Sequence, residues 1–241
     1  MSSSPETESP LTRRPLEVRK SRWAVAVARW LTAHNIQPNT ISVAGIAFSV
    51  AAAIAFVSGG RSDSTAIQVA CLLLAAIGIQ VRLLCNLFDG MVAIEGGKST
   101  KSGELYNEIP DRFSDAFSLV GAGYFVTAQP WVADVGWLAA ALAITTAYVR
   151  ALGASTGAGQ HFEGPMAKPQ RMALLTVACI AEAMIVSTSW HGWVITITLV
   201  IICVGCLLTI IRRARSIAIS LESAQFLADQ TNAESAHHGG A

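Results

Sequence analysis

Residues 86–115, NLFDGMVAIEGGKSTKSGELYNEIPDRFSD, place Asp89, Asp111 and Asp115, with Asn86 and Asn107 between them, on the edges of two hydrophobic runs. What such acids mean depends on the chain around them. Of its 241 residues 52% are hydrophobic and only 14% charged, too apolar and too weakly charged for an ordinary soluble domain. Six apolar stretches, near 40–58, 66–94, 104–128, 131–152, 172–189 and 192–211, can each cross roughly 30 Å of hydrocarbon as a helix. The expected fold is therefore all-α: a polytopic membrane bundle of six transmembrane helices.

Turns such as SGGRSDST, TAQPW and STSWHG separate the runs. Arg13, Arg14, Arg19, Lys20, Arg22 and Arg29 precede the first span. Lys98 and Lys101 lie between the second and third, Lys168 and Arg171 between the fourth and fifth, and Arg212, Arg213 and Arg215 after the sixth. All four groups fall on one side, and the opposite connections carry only Arg61, so the positive-inside rule places both termini in the cytoplasm. A bacterial inner membrane is the expected location.

Four segments are expected. Residues 1–15 are polar, with no apolar core for a cleavable signal, and read as a disordered cytoplasmic tail. Residues 16–36 put Trp23, Val27, Trp30 and Leu31 on one stripe beside Arg19, Lys20, Arg22 and Arg29, the pattern of an amphipathic helix lying in the membrane interface. Residues 37–215 form the six-helix domain. Residues 216–241 form a cytoplasmic C-terminal tail that is helix-compatible to about Asp229.

Cysteine chemistry is not expected, because Cys71, Cys85, Cys179, Cys203 and Cys206 all fall inside apolar runs, and the Cys203–Cys206 pair has no second pair or histidine to complete a zinc site. No nucleic-acid partner is expected. Ionisable residues within spans are costly and are the functional candidates. Arg82, Asn86, Asp89 and Ala93 step by four, three and four along one helix face; Gly103, Asn107, Asp111 and Asp115 step by four along the next.

With these helices antiparallel, the stripes form three rungs: Asp89 with Asn107, Asn86 with Asp111, and deepest, Arg82 with Asp115. The deepest rung reads as a structural ion pair. Asp115 is also counted among the acids of a metal shell formed with Asn86, Asp89, Asn107 and Asp111. Oxygen donors without thiol or imidazole suit Mg²⁺, Mn²⁺ or Ca²⁺, and Gly90, Ala93, Gly96, Gly97 and Gly103 leave space and backbone N–H groups for a bulky anion. Pro110 is expected to kink or loosen its helix beside Asp111. A seam that merely glues helices is the competing reading, but glue seldom needs three acids with glycines at the aqueous end.

These residues resemble the CDP-alcohol phosphatidyltransferases, whose motif is D-x-x-D-G-x-x-A-R, about eight residues, then G-x-x-x-D-x-x-x-D. This chain has N-x-x-D-G-x-x-A-I from Asn86 to Ile94, eight residues, then G-x-x-x-N-x-x-x-D from Gly103 to Asp111. QPNTIS before the first span, AYVRA ending the fourth and GPMAKPQR before the fifth extend the resemblance over most of residues 16–215. It implies an integral membrane enzyme of phospholipid synthesis, usually a homodimer, that transfers the phosphatidyl or other phospho-alcohol group of a CDP-linked lipid donor to an acceptor alcohol and releases CMP.

By position, Asn86, Asp89, Asn107 and Asp111 would bind Mg²⁺ or Mn²⁺, and Asp111 would be the general base. Asp89, Gly90, Ala93 and Gly103 would receive the CDP moiety. Arg150, Lys168 and Arg171 are candidates for the acceptor or lipid phosphate. The departures are Asn86 and Asn107 in place of two acids and Ile94 in place of an arginine. Glu95 and Glu108 adjoin the altered positions and can restore charge. Those departures keep a second class open, a member that binds nucleotide or lipid without turnover. A cation transporter is the third, but only Glu182, read as a partner of Arg112, continues the charged path outward.

Overall fold

The structure, a computed structural model, describes residues 21–95 and 103–238, less the side chains of residues 95, 103–107, 227–229 and 231–238. The expected tail 1–15, the first residues of the amphipathic helix, and Gly96, Gly97, Lys98 and Lys101 lie outside the described residues. The described residues form α-helices: α1 (Arg22–Ala33), α2 (Pro38–Gly60), α3 (Thr65–Glu95), α4 (Gly103–Phe125), α5 (Trp131–Ser155), α6 (Lys168–Ile185) and α7 (Trp193–His238). Four of them, α2, α3, α5 and α7, are long and apolar enough to cross a membrane. The third and fifth expected spans coincide with α4 and α6, which are shorter or richer in charge. α6 also starts four residues before the expected 172–189 and ends at Ile185.

Sequence punctuation explains the boundaries. Asn35 adopts φ 55°, a left-handed conformation that asparagine tolerates, and ends α1; Pro38 then opens α2, where a missing N–H costs nothing. Pro169 lies in the first turn of α6 for the same reason. α7 differs from expectation: no Pro occurs in residues 193–238, the single Gly205 lies inside the apolar run and not at its end, and the helix runs through Arg215 to His238 instead of yielding to a patternless tail. Pro110 lies within α4, which continues on both sides of it.

Packing closes the six longer helices into a ring in the order α2, α3, α6, α7, α5, α4 and back to α2. α2 therefore runs along both α3 and α4, which touch each other far less extensively than a simple antiparallel pair would. Small residues permit the close approaches. A Cβ on Gly121 would lie 2.7 Å from Ala53 Cα, and one on Gly123 would lie 2.9 Å from the Val132 carbonyl, so α4 meets α2 and α5 nearly backbone to backbone. Phe56, Leu72, Ile79, Leu119, Phe125 and Ile202 fill the ring interior. α1 lays Ala24 and Ala28 against Phe88, Met91 and Val92 of α3 and leaves Trp23, Val27 and Trp30 exposed.

At the opposite end of the ring from α1, Glu182 of α6 is fully buried and accepts from the backbone N–H groups of Gly192, Val194 and Ile195, with the His191 ring 3.3 Å away. It caps the first turn of α7 and does not pair with Arg112, because a helix N-terminus offers a carboxylate unsatisfied N–H donors and a favourable dipole. Glu182→Ala should lower unfolding stability in detergent by about 3 kcal/mol through buried, unpaired N–H groups. Glu182→Gln, which keeps an acceptor oxygen, should cost less than half as much. Equal thermal midpoints for the alanine variant and the unmodified protein would refute the cap.

Candidate active site

At the α1 end of the ring, α2, α3 and α4 bring polar residues into one cleft lined by Ser42, Arg82, Asn86, Asp89, Pro110 and Asp111. The cleft rests on a buried ionic floor. Asp115 of α4 has Arg82 Nη2 of α3 in ion-pair contact 3.0 Å from its Oδ1 and accepts a hydrogen bond from Arg171 Nη2 of α6 at 2.8 Å on its Oδ2, with all three side chains 2% exposed. Arg171 also donates to the Met166 carbonyl at 2.9 Å and to Thr146 Oγ1 at 3.3 Å.

Two expectations are corrected by this floor. Arg171 is not at an open phosphate site, since its guanidinium is enclosed and engaged by Asp115, Thr146 and Met166. Asp115 is not available to a metal shell either, because each of its oxygens faces a guanidinium. The Arg82–Asp115 contact is present, with Arg171 as a third member.

Asp111 lies one turn above. Its Oδ1 receives Arg82 Nη2 at 3.0 Å and Asn86 Nδ2 at 3.1 Å; its Oδ2 receives Asn86 Nδ2 at 3.1 Å and the Lys168 ammonium. Lys168 reaches it because the connection before α6 is tied down. Gly164, at φ +116°, fits against Thr209 of α7 where a Cβ would be 2.5 Å from that side chain, and Met166 N–H donates to Thr209 Oγ1 at 3.1 Å. Arg213 secures the same segment by donating to the Glu163 and Thr146 carbonyls at 2.9 and 2.7 Å.

Asp89 is 4% exposed, and its Oδ2 accepts from Ser42 Oγ at 2.7 Å. Its Oδ1 is buried with no hydrogen-bond partner among the described residues. Gly90 beside it is buried and Ala93 half-buried; Ile94, where the motif has arginine, is 63% exposed. Gly103 opens α4, while the side chain of Asn107 lies outside the described residues. Glu108 does not join the metal-binding acids: it holds Arg112 of its own helix and Arg150 of α5, the latter at 2.6 Å, and Arg150 also lies 5.6 Å from the Phe162 ring centroid.

No cluster of three or more His, Cys, Asp or Glu occurs among the described residues. The donors nevertheless fit a hard divalent ion. Asp89, with a buried carboxylate oxygen that has no donor among the described residues, lines a cleft whose other acid is Asp111, and Mg²⁺ commonly binds through one or two carboxylates completed by substrate phosphates. Ser42 was not singled out from the sequence beyond its place in QPNTIS. Its signal was a hydroxyl within the first turn and a half of α2, where a side chain can reach the end of α3.

The family model for CDP-alcohol phosphatidyltransferases matches residues 35–211. The chain belongs to this family. It is thus a transferase of substituted phosphate groups in phospholipid synthesis and an integral membrane protein. Among solved structures it is similar to Mycobacterium tuberculosis phosphatidylinositol phosphate synthase with CDP-DAG bound, at 19% identity and TM-score 0.66, covering 82% of this chain and 94% of that one. The same synthase in complex with manganese and citrate gives 19% identity and TM-score 0.64 over 80% and 88% of the two chains. Its apo form gives 19% identity and TM-score 0.62 over 80% and 94%. No curated protein matches the chain in sequence.

Removing the shared acid of the floor should be severe. Asp115→Asn leaves two buried guanidinium groups facing a neutral amide, a loss of about 3–5 kcal/mol. The folded, monodisperse fraction in detergent should collapse for Asp115→Asn and for Arg82→Gln. Unchanged yields for both would refute the floor's structural role.

Proposed function

We propose that this transferase moves the phosphatidyl group of a CDP-linked lipid such as CDP-diacylglycerol onto the hydroxyl of an acceptor alcohol and releases CMP, with Mg²⁺ or Mn²⁺ as cofactor. The observation that carries the reading is the buried Oδ1 of Asp89, without a hydrogen-bond partner among the described residues, on a residue that lines one cleft with Asp111 at the motif positions of the family. A bound divalent ion would neutralise charge on the pyrophosphate oxygens. Asp89, with Ser42 fixing its other oxygen, is the residue placed to hold that ion; Asn86, Asn107 and Asp111 are the remaining candidates.

Asp111 is the proposed general base. The acceptor oxygen attacks the lipid-bearing phosphorus, its proton passes to the Asp111 carboxylate, and the bond to the bridging oxygen breaks as CMP departs. Gly90, Ala93 and Gly103 leave room for the CDP moiety. Lys168 and Arg150 are the proposed contacts for anionic oxygens of donor and acceptor: Lys168 already lies on Asp111, and Arg150 sits on α5 beside Glu108 and Phe162.

In the same reading all six helices α2 to α7 span the membrane, with the site on the cytoplasmic side. α1 lies in the interface with Trp23, Val27 and Trp30 toward lipid and Arg22 and Arg29 exposed beside them. Both termini are cytoplasmic, the host membrane is a bacterial inner membrane, and the functional unit is a homodimer. The lysine and arginine bias supports the orientation, and the family resemblance supports the dimer.

Purified protein should release CMP from CDP-diacylglycerol when Mg²⁺ or Mn²⁺ and the correct alcohol are present, and chelation by EDTA should abolish that release. A panel of glycerol phosphate, serine, inositol phosphate and simple polyols identifies the acceptor. Asp111→Asn should lower turnover by about 10²–10⁴-fold while donor binding is retained. CMP release unaltered by Asp89→Ala would sink the metal-site reading.

A further inference from the structure

We infer that this site takes a single divalent ion, at Asp89, and that the ammonium of Lys168 on Asp111 stands where a second cation would otherwise be needed. The inference deepens the transferase reading and rests on it for the identity of the anionic ligand, the pyrophosphate.

The two acids of the cleft are in opposite states. Asp89 has one oxygen fixed by Ser42 at 2.7 Å and one buried oxygen with no donor among the described residues. A buried anionic oxygen in that condition is costly until a cation meets it. Both oxygens of Asp111 are met by groups of the chain itself. Arg82 and Asn86 meet Oδ1, while Asn86 and Lys168 meet Oδ2. The Lys168 nitrogen is itself buried.

Asn86 decides the count. A carboxylate at this position would repel Asp111 and require a cation between them, whereas the amide turns its NH₂ toward both oxygens of Asp111 at 3.1 Å. The opposite orientation would set its carbonyl against a carboxylate. Asn86 thus closes the gap that a second ion would hold open.

Charge balance agrees. Among the described residues, Asp89, Asp111 and Asp115 carry three negative charges, and Arg82, Lys168 and Arg171, the basic groups in ion-pair contact with Asp111 or Asp115, carry three positive ones. One divalent ion then matches the two negative charges of a diester pyrophosphate. A second would leave two positive charges uncompensated in a region of low dielectric constant.

The test counts ions without turnover. Mn²⁺ is titrated into the purified full-length protein in detergent and the free ion is followed by its six-line electron paramagnetic resonance signal. The unmodified chain should bind one Mn²⁺ with the spectrum of an isolated ion, and Asp89→Asn should weaken that binding at least tenfold. The double variant Asn86→Asp/Lys168→Met should take up a second Mn²⁺ at about 3.5–4 Å from the first and show an exchange-coupled spectrum.

Two coupled ions in the unmodified chain, no bound ion, or an affinity unmoved by Asp89→Asn would each overturn the inference, and none of these needs the double variant to fold. A double variant that folds and still binds one ion overturns the role of Lys168. One bound ion without CMP release would sustain the ion count and refute CDP-diacylglycerol as the donor. Two ions with normal CMP release would do the reverse.

Discussion

A carboxylate gripped from both sides by guanidinium groups underlies the whole site. Asp115, Arg82 and Arg171 come from α4, α3 and α6, three helices that the ring order does not place side by side throughout, and each is almost fully enclosed. Any one of them alone would be an uncompensated charge in an apolar bundle, so the helices are stable together only in the register that brings all three into contact. That register places Asp111 one turn above Asp115, where the second contact of Arg82 holds it, and directs Lys168 onto the same carboxylate. Ser42 of α2 contributes from the remaining side by fixing Asp89. Chemistry at the mouth of the cleft is therefore built on ion pairing at its base.

Most of the fold was legible because hydrophobic run length is a strong signal for membrane helices. The first four expected stretches agree in extent with the helices α2 to α5 to within a few residues at each end, and α2, α3 and α5 among these are long and apolar enough to cross a membrane. Of the residues that the stepping set on one face, Arg82, Asn86 and Asp89 of α3 and Asp111 and Asp115 of α4 meet at the cleft and its floor, while the side chain of Asn107 lies outside the described residues. Partner choice across helices was less legible, since periodicity describes one helix at a time and says nothing of which neighbour faces the stripe. Arg171 looked like a loop cation of the positive-inside kind, and only the ring order turns it inward to Asp115. Glu182 was matched by sign to Arg112, whereas its partners are backbone N–H groups, which no charge pattern reveals. Ser42 was hidden for a related reason: a serine near a helix start has many ordinary uses, and its contact with Asp89 crosses from α2 to α3.

The Asn-for-Asp replacements acquire a structural meaning once the neighbours of Asp111 are known. An amide is a donor as well as an acceptor, so Asn86 can bind the acid that a carboxylate would repel. The change is thus coupled to the basic residues around it, and Glu108, at the position after Asn107, is engaged by Arg112 and Arg150 and leaves the cleft's charge to the three central acids.

Lys168 and Arg171 occupy the same first turn of α6, three residues apart. A helical turn moves as a unit, so a rotation or slide of α6 that withdraws the ammonium from Asp111 also strains the guanidinium at Asp115. Misplacement of this helix is then penalised twice over, which makes its seating close to all-or-none. The connection from Gly157 to Ala167, anchored on Thr209 and Arg213 of α7, is the part of the chain whose length sets that seating. Away from Gly164, which has no room for a side chain against Thr209, substitutions within it are tolerated one at a time, while a single inserted or deleted residue would disturb catalysis and folding through the same movement.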